Sequence, residues 1–287
     1  MQQFSFSGLG TKWSIILDLP QLPQSLLTAV VDLTHKFESR YSRFLPDSEI
    51  SKINHATSPY PLSPELEIML EFGLKLKKLT NNHFNLSIAA LLSGLGYNPN
   101  YSFSPNQSLI NQDLPTYEIK DHHLVFTQPP QIDLGSLGKG FLIDKIANFL
   151  TDQQIDHFLI DGGGDIFATQ KEDNSPWQIA IEHPHDPSQA IATLNLNNQA
   201  VATSSSQKRR FADNHHLLNP KTKTSSSTIL SISILSSSAF IADALATAFF
   251  VTPANLWPIL NQEFSSEQLI IYPDLTYQAD KSFSLLI

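Results

Sequence analysis

Apolar and polar positions along the chain set out a succession of short strands and amphipathic helices. Lys12-Trp-Ser-Ile-Ile-Leu-Asp-Leu19 partly alternates and predicts a strand. Pro23–Tyr41 carries apolar residues at Leu26, Leu27, Val30, Val31, Leu33 and Phe37, a helical spacing. Asp47 or Ser48 is placed to cap a short helix. Ser63–Thr80 predicts a stronger helix. Ser63 is the expected N-cap, Pro64 suits the first turn, and Leu66, Met69, Leu70, Leu74 and Leu76 form the apolar face.

Asn98–Asp121 is rich in Pro, Ser and Asn and reads as loop. Strands are expected at His123–Thr127, Ile132–Leu134, Phe158–Ile160, Trp177–Glu182, Ala190–Leu196, Thr228–Leu235 and Leu269–Tyr272, and helices at Gly140–Leu150, Ser238–Val251 and Leu256–Phe264. No internal repeat is visible. Few strands alternate cleanly with helices, which favours α+β over a doubly wound parallel sheet.

Composition narrows the class. The chain has 287 residues, 41% of them hydrophobic, enough for a substantial core in one large domain or two smaller ones. A net charge of −9, with no long Lys/Arg stripe, argues against nucleic acid as a partner. The short basic run Lys208-Arg209-Arg210 reads as a solvated turn. Without cysteine there is no disulfide, thiolate metal site or Cys nucleophile. Met1-Gln-Gln-Phe-Ser-Phe lacks the basic start and apolar core of a signal peptide. The longest apolar stretch, Ala239–Val251, is interrupted by Asp243 and is too short to span a bilayer. A cytoplasmic protein with no integral membrane segment is the expectation, with a periplasmic one if an export signal has been removed.

The chemistry concentrates in two glycine runs. Six of the eleven glycines fall in Asp133-Leu-Gly-Ser-Leu-Gly-Lys-Gly140 and Asp161-Gly-Gly-Gly-Asp165. Glycine serves positive-φ geometry or close approach of backbone to something else. Beside carboxylates, such amides point to a phosphate-bearing ligand held with a metal. The first run lacks the P-loop pattern and is equally a tight turn between strand and helix. The second is either a hairpin exit or backbone pressed against a flat ligand with Asp165 aimed into the same cleft.

Asp243 and Thr247, at i and i+4, share one face of an otherwise apolar helix. A carboxylate there needs a partner or a cation, and an all-oxygen set suits Mg²⁺. The plainer alternative has Asp243 capping a neighbouring element and Thr247 bonding back to its own helix. His216, in His215-His216-Leu-Leu-Asn-Pro220, is a candidate acid/base.

In this order the pieces resemble the ApbE family of flavin transferases. The resemblance runs through Leu9-Gly-Thr-Lys-Trp13, Tyr41-Ser-Arg-Phe-Leu-Pro-Asp-Ser-Glu-Ile-Ser-Lys-Ile-Asn54, Phe84–Tyr97, both glycine runs, Val201-Ala-Thr-Ser204, His216–Pro220 and Ala242–Thr247. It implies one α+β, T-fold-like domain over residues 1–287, in two lobes with mixed or antiparallel sheets and packed helices. It also implies an enzyme that moves FMN from FAD to a Thr or Ser hydroxyl of an acceptor flavoprotein and releases AMP. Metal ligands would fall on Asp243, Thr247 and the Gly138 carbonyl, for Mg²⁺. Flavin- or adenosine-contacting positions would fall on Leu9, Phe44, Ala89, Ser136, Phe141 and Leu218. His216 and Asp165 would lie near the reacting phosphate. Phe44 stands where many relatives carry Tyr, Leu9 replaces Met, and Gly138 stands where many have Ala. The same site would serve a Mg²⁺-dependent FAD pyrophosphatase, with water in place of the hydroxyl. A non-catalytic FAD-binding protein is the alternative from another class.

Overall fold

A computed structural model describes residues 1–98, 104–208, 210–211 (backbone) and 214–286. Its centre is an eight-stranded sheet in which spatial order follows chain order. The strands are Gln2–Gly8, Thr11–Leu17, Phe158–Gly162, Ile166–Ala168, Gln199–Ser205, Ser231–Ser236, Glu267–Ile271 and Tyr277–Ala279, each antiparallel to its neighbours. A strand turns alternate side chains to opposite faces, and the inner strands are apolar on both. Phe158, Ile160, Ala200, Ala202, Ile232, Ile234 and Ile270 enter one core; Leu159, Val201, Leu235, Leu269 and Ile271 enter another.

Helices cover the first face: α1 (Gln24–Tyr41), α6 (Gly138–Asp152) and α7 (Ala239–Val251). A smaller antiparallel sheet, made of Trp177–His183, Asp186–Leu196 and Ser284–Leu285, covers the second. The mixture of antiparallel sheets and packed helices is the α+β class expected. The remaining helices are α2 (Glu49–Ile53), α3 (Pro64–Leu79), α4 (Ala89–Gly94), α5 (Gln107–Ile110) and α8 (Trp257–Glu263).

Local signals explain the helix starts. The Ser48 hydroxyl accepts from Ser51 N–H at 3.0 Å, and the Ser63 hydroxyl from Leu66 N–H at 3.4 Å. α7 borrows a second cap from α6. The Asp144 carboxylate accepts from the Ser238 hydroxyl and the Ala239 and Phe240 amides at 2.6–3.0 Å. Burial pushes the Asp144 carboxyl up, and these three donors pull it back.

Two sequence expectations need correcting. Ile132–Leu134 is no strand: the Asn54 side chain receives the Ile132 N–H at 2.6 Å and donates to its carbonyl at 2.9 Å, while Asp133 N–H goes to Leu86 O. A side-chain amide has taken the place of a neighbouring strand. Within Asn98–Asp121, residues 104–121 hold α5 and the strand Tyr117–Lys120, and residues 99–103 lie outside the described residues. Arg209 of the basic run also lies outside them. No described helix is long and apolar enough to cross a membrane.

Candidate active site

A cleft of about 610 Å³ opens where the first hairpin, the α1–α2 loop, both glycine runs, the fifth strand and α7 meet. Leu9, Phe44, Ser136, Gly138, Asp165, His216, Leu218, Asp243 and Thr247 all line it, although they lie as far apart as residues 9 and 247 in sequence. Ala89 and Phe141 do not. Ala89 is buried at the start of α4, donating its N–H to Gln131 O at 2.9 Å. Phe141 packs between Phe37 and Phe240, with ring centroids 6.0 and 5.3 Å away.

The second glycine run is a hairpin between the third and fourth strands, closed by Gly162 N–H to Asp165 O at 2.8 Å. Its glycines are required by the protein itself. A Cβ at Gly162 would meet Trp13 at 2.9 Å, and Gly163, at φ +75°, would meet Thr11 at 2.4 Å. Gly164, at φ +96°, donates its N–H to Asp161 at 2.7 Å. The turn delivers Asp165 into the cleft, where its carboxylate accepts from Thr203 N–H at 3.2 Å and pairs with Lys139.

The first run behaves similarly. The Asp133 carboxylate accepts Gly135 N–H at 2.7 Å in a tight turn, and α6 begins at Gly138, two residues earlier than its apolar pattern indicates. At Gly140, α6 presses against α7. A Cβ there would sit 2.2 Å from Ala239 O and 2.8 Å from Asp243 Cβ. This close approach lets Gly140 N–H donate to Asp243 at 2.9 Å. The amide expected to face a bound anion thus meets the protein's own carboxylate.

Three charges therefore converge. The Lys139 ammonium pairs with Asp165 and lies 3.3 Å from Asp243 Oδ1, with both carboxylate side chains almost fully buried. Burial pushes the Asp243 carboxyl up to about 6; Lys139 opposes this and Asp165 adds to it. One turn along, Thr247 Oγ1 lies 3.5 Å from Ser204 Oγ. Among the described residues no three His, Asp or Glu side chains gather into a metal cluster. The groups gathered around Lys139 and Thr247 are oxygens: the Asp165 and Asp243 carboxylates and the Thr247 and Ser204 hydroxyls. That chemistry fits a small hard cation such as Mg²⁺ and does not fit a soft one.

The histidine pair separates by role. His215 is buried and tied into its own loop, with Nε2 2.9 Å from Ser226 O and Nδ1 accepting Leu217 N–H at 3.2 Å. Its neighbour His216 is the one that lines the cleft. Leu9 holds φ +51°, an uncommon conformation for leucine, at the hairpin turn on the cleft rim.

The sequence reading gives no role to Lys139 or Arg43, and none to Asp133 beyond its place in the first glycine run. Lys139 had a visible signal, an ammonium set among glycines at the start of an apolar helix. The Arg43–Asp133 pair, 90 residues apart, had none.

Comparison with known proteins identifies the family and the fold. Residues 9–270 match the model of the ApbE family. A Haemophilus influenzae protein named FAD:protein FMN transferase is 26% identical over 280 residues, covering 86% of this chain and 80% of that protein. One of the same name from Treponema pallidum is 28% identical, covering 88% and 78%. The flavin transferase ApbE from Vibrio cholerae superposes with a TM-score of 0.83 at 23% identity, over 98% of both chains. The ApbE protein from Thermotoga maritima superposes with a TM-score of 0.87 at 22% identity, over 98% of this chain and 97% of that one. With the match running from the first hairpin to the seventh sheet strand, the chain belongs to the ApbE family.

Proposed function

We propose that this protein transfers FMN from FAD to a Thr or Ser hydroxyl of an acceptor flavoprotein and releases AMP. The observation that carries the reading is the convergence of Asp165, Lys139, Asp243, Thr247 and His216 on one cleft of about 610 Å³. That volume lies within the usual range for small-molecule and cofactor sites. Family membership and relatives named FAD:protein FMN transferase support the choice of dinucleotide.

In the proposed reaction the acceptor oxygen bonds to the phosphorus of the FMN half. The bond from that phosphorus to the bridging oxygen breaks, and AMP leaves with that oxygen. The acceptor's proton passes to His216, which lines the cleft. Asp243, Thr247 and the Gly138 carbonyl are the residues proposed to hold Mg²⁺. The chemistry such a cation supplies is neutralisation of charge on the diphosphate. Lys139 adds a fixed positive charge among the buried carboxylates, and Asp165 holds Lys139 in place. The whole chain acting as one domain belongs to the same reading, supported by a core that runs from Trp13 to Ile270.

The test is mass spectrometry of products from FAD, with and without Mg²⁺, in the presence of a flavoprotein co-expressed as acceptor. An FMN-sized mass gain on an acceptor Thr or Ser, with AMP in solution, is expected. FMN and AMP released equally well without acceptor would identify a pyrophosphatase. No AMP at any Mg²⁺ concentration would leave a binding protein.

A further inference from the structure

Arg43 lies in the α1–α2 loop with only 6% of its side chain exposed. Its Nε donates to Asp133 Oδ2, its Nη2 donates to the Tyr97 carbonyl at 2.8 Å, and its Nη1 lies 3.4 Å from Ser93 Oγ. The guanidinium carbon sits 4.2 Å from the centroid of the Phe44 ring and 5.5 Å from that of Tyr97. Phe44 and Tyr97 meet edge to face, with centroids 5.7 Å apart. Asp133 uses its other oxygen for the Gly135 N–H, at 2.7 Å. Arg43, Phe44, Tyr97, Asp133 and Gly135 all line the cleft.

Three stretches of chain with little regular structure of their own are thus tied together by one side chain. They are the loop carrying Phe44, the stretch after α4 carrying Tyr97, and the entry to the first glycine run. The planar fork of arginine suits this role, because it bonds in its plane while stacking on a ring with its face. A ring whose tilt is set before a ligand arrives spares the ligand the cost of ordering it.

We propose that Arg43 is a positioning residue for the dinucleotide. It fixes the tilt of Phe44 against the first glycine run, so that a flat ring finds a preformed wall. The proposal rests on the reading that FAD occupies this cleft.

The test is a double-mutant cycle on FAD affinity, read by flavin fluorescence on the full chain, with thermal melts as the control for folding. Arg43→Ala and Phe44→Ala should each weaken FAD binding about tenfold, as for the loss of a desolvated cation–ring contact. The double variant should be no weaker than about tenfold, because both changes remove one unit. In steady-state assays of Arg43→Ala, KM should rise by more than kcat falls. Arg43→Lys keeps the charge without the fork and should bind no better than Arg43→Ala. If Arg43→Ala does not fold, Asp133→Asn carries the test, since it keeps an oxygen for Gly135 and loses the charge that holds the fork; it should weaken FAD similarly. Additive losses, near-native affinity of Arg43→Ala beside a weakened Phe44→Ala, or full rescue by lysine would overturn the proposal. Unchanged affinity in Phe44→Ala would instead remove FAD from this wall, and the proposed function with it.

Discussion

Gly140→Ala is the sharpest single perturbation, because one added methyl must strike backbone. Its Cβ would lie 2.2 Å from Ala239 O and 2.6 Å from Ala239 C, with Asp243 Cβ at 2.8 Å. No rotamer change relieves a contact with main chain, so α6 and α7 must separate. Overpacking of this kind costs about 1–3 kcal/mol. Separation also stretches the Gly140 N–H bond to the Asp243 carboxylate, and a hydrogen bond to a charged group contributes about 1.5–3 kcal/mol. Better helix propensity returns about 1 kcal/mol. The balance is a loss of roughly 1.5–5 kcal/mol, or a fall in Tm on the order of 10 °C for a chain of this size. Gly138→Ala is the matched control: its Cβ would meet nothing closer than 3.8 Å. The same helix propensity then acts alone, for up to about 1 kcal/mol of stabilisation. Paired thermal and urea melts decide the matter. A Gly140→Ala protein as stable as wild type, or two variants that fall alike, would refute the close-approach account of the first glycine run.

Asp243 supplies the next predictions. Its carboxyl is raised to about 6 in the fold, so as pH rises from the ordinary carboxylate range the unfolded chain loses this proton first. The contribution of Asp243 to stability therefore declines across that window. Urea melts should show Asp243→Asn gaining on wild type between about pH 4 and pH 6, and a difference independent of pH would contradict the burial argument. Asp243→Ala should fold and lose metal-dependent turnover of FAD; wild-type rates would remove it from the proposed metal site. His216→Ala should lower the rate of the chemical step in single-turnover assays more than it weakens FAD binding, and equal rates would take His216 out of the mechanism.

Most of the framework was legible because its signals are local. Ser48 and Ser63 announce α2 and α3 through hydroxyls that reach only three residues ahead. Of the expected face, Leu66, Met69, Leu70 and Leu76 are buried and Leu74 is partly buried. What escaped depended on distant partners or on side chains too small to make a pattern. Gln199–Ser205 is a central strand that turns only Ala200 and Ala202 toward the helices and Val201 toward the second sheet, so its alternation carries little hydrophobic contrast. Gln2–Gly8 is an edge strand with only Phe4 and Phe6 of any bulk. α4 starts at Ala89, and Ile88 before it offers no side-chain cap. Ile132–Leu134 has the composition of a strand, yet its backbone is paired by Asn54, 78 residues earlier.

The site shows the same division. Scarce glycine crowded into two runs signalled close approach, but no local pattern could say what approached. In the structure the neighbours are the protein's own Ala239, Asp243, Trp13 and Thr11. At Gly140, Gly162 and Gly163 the close approach is therefore between elements, while Gly135, Gly138 and Gly163 line the cleft. Gly140 brings α6 onto α7 and so sets Lys139 beside Asp243; Gly162 and Gly163 fold the hairpin tightly over Trp13 and Thr11 and so set Asp165 against the same ammonium. The charged cluster is thus a consequence of two backbone packings that only glycine permits. Gly140→Ala or Gly162→Ala would thus disturb the chemistry by moving a neighbouring charge, without the substituted residue having to touch FAD.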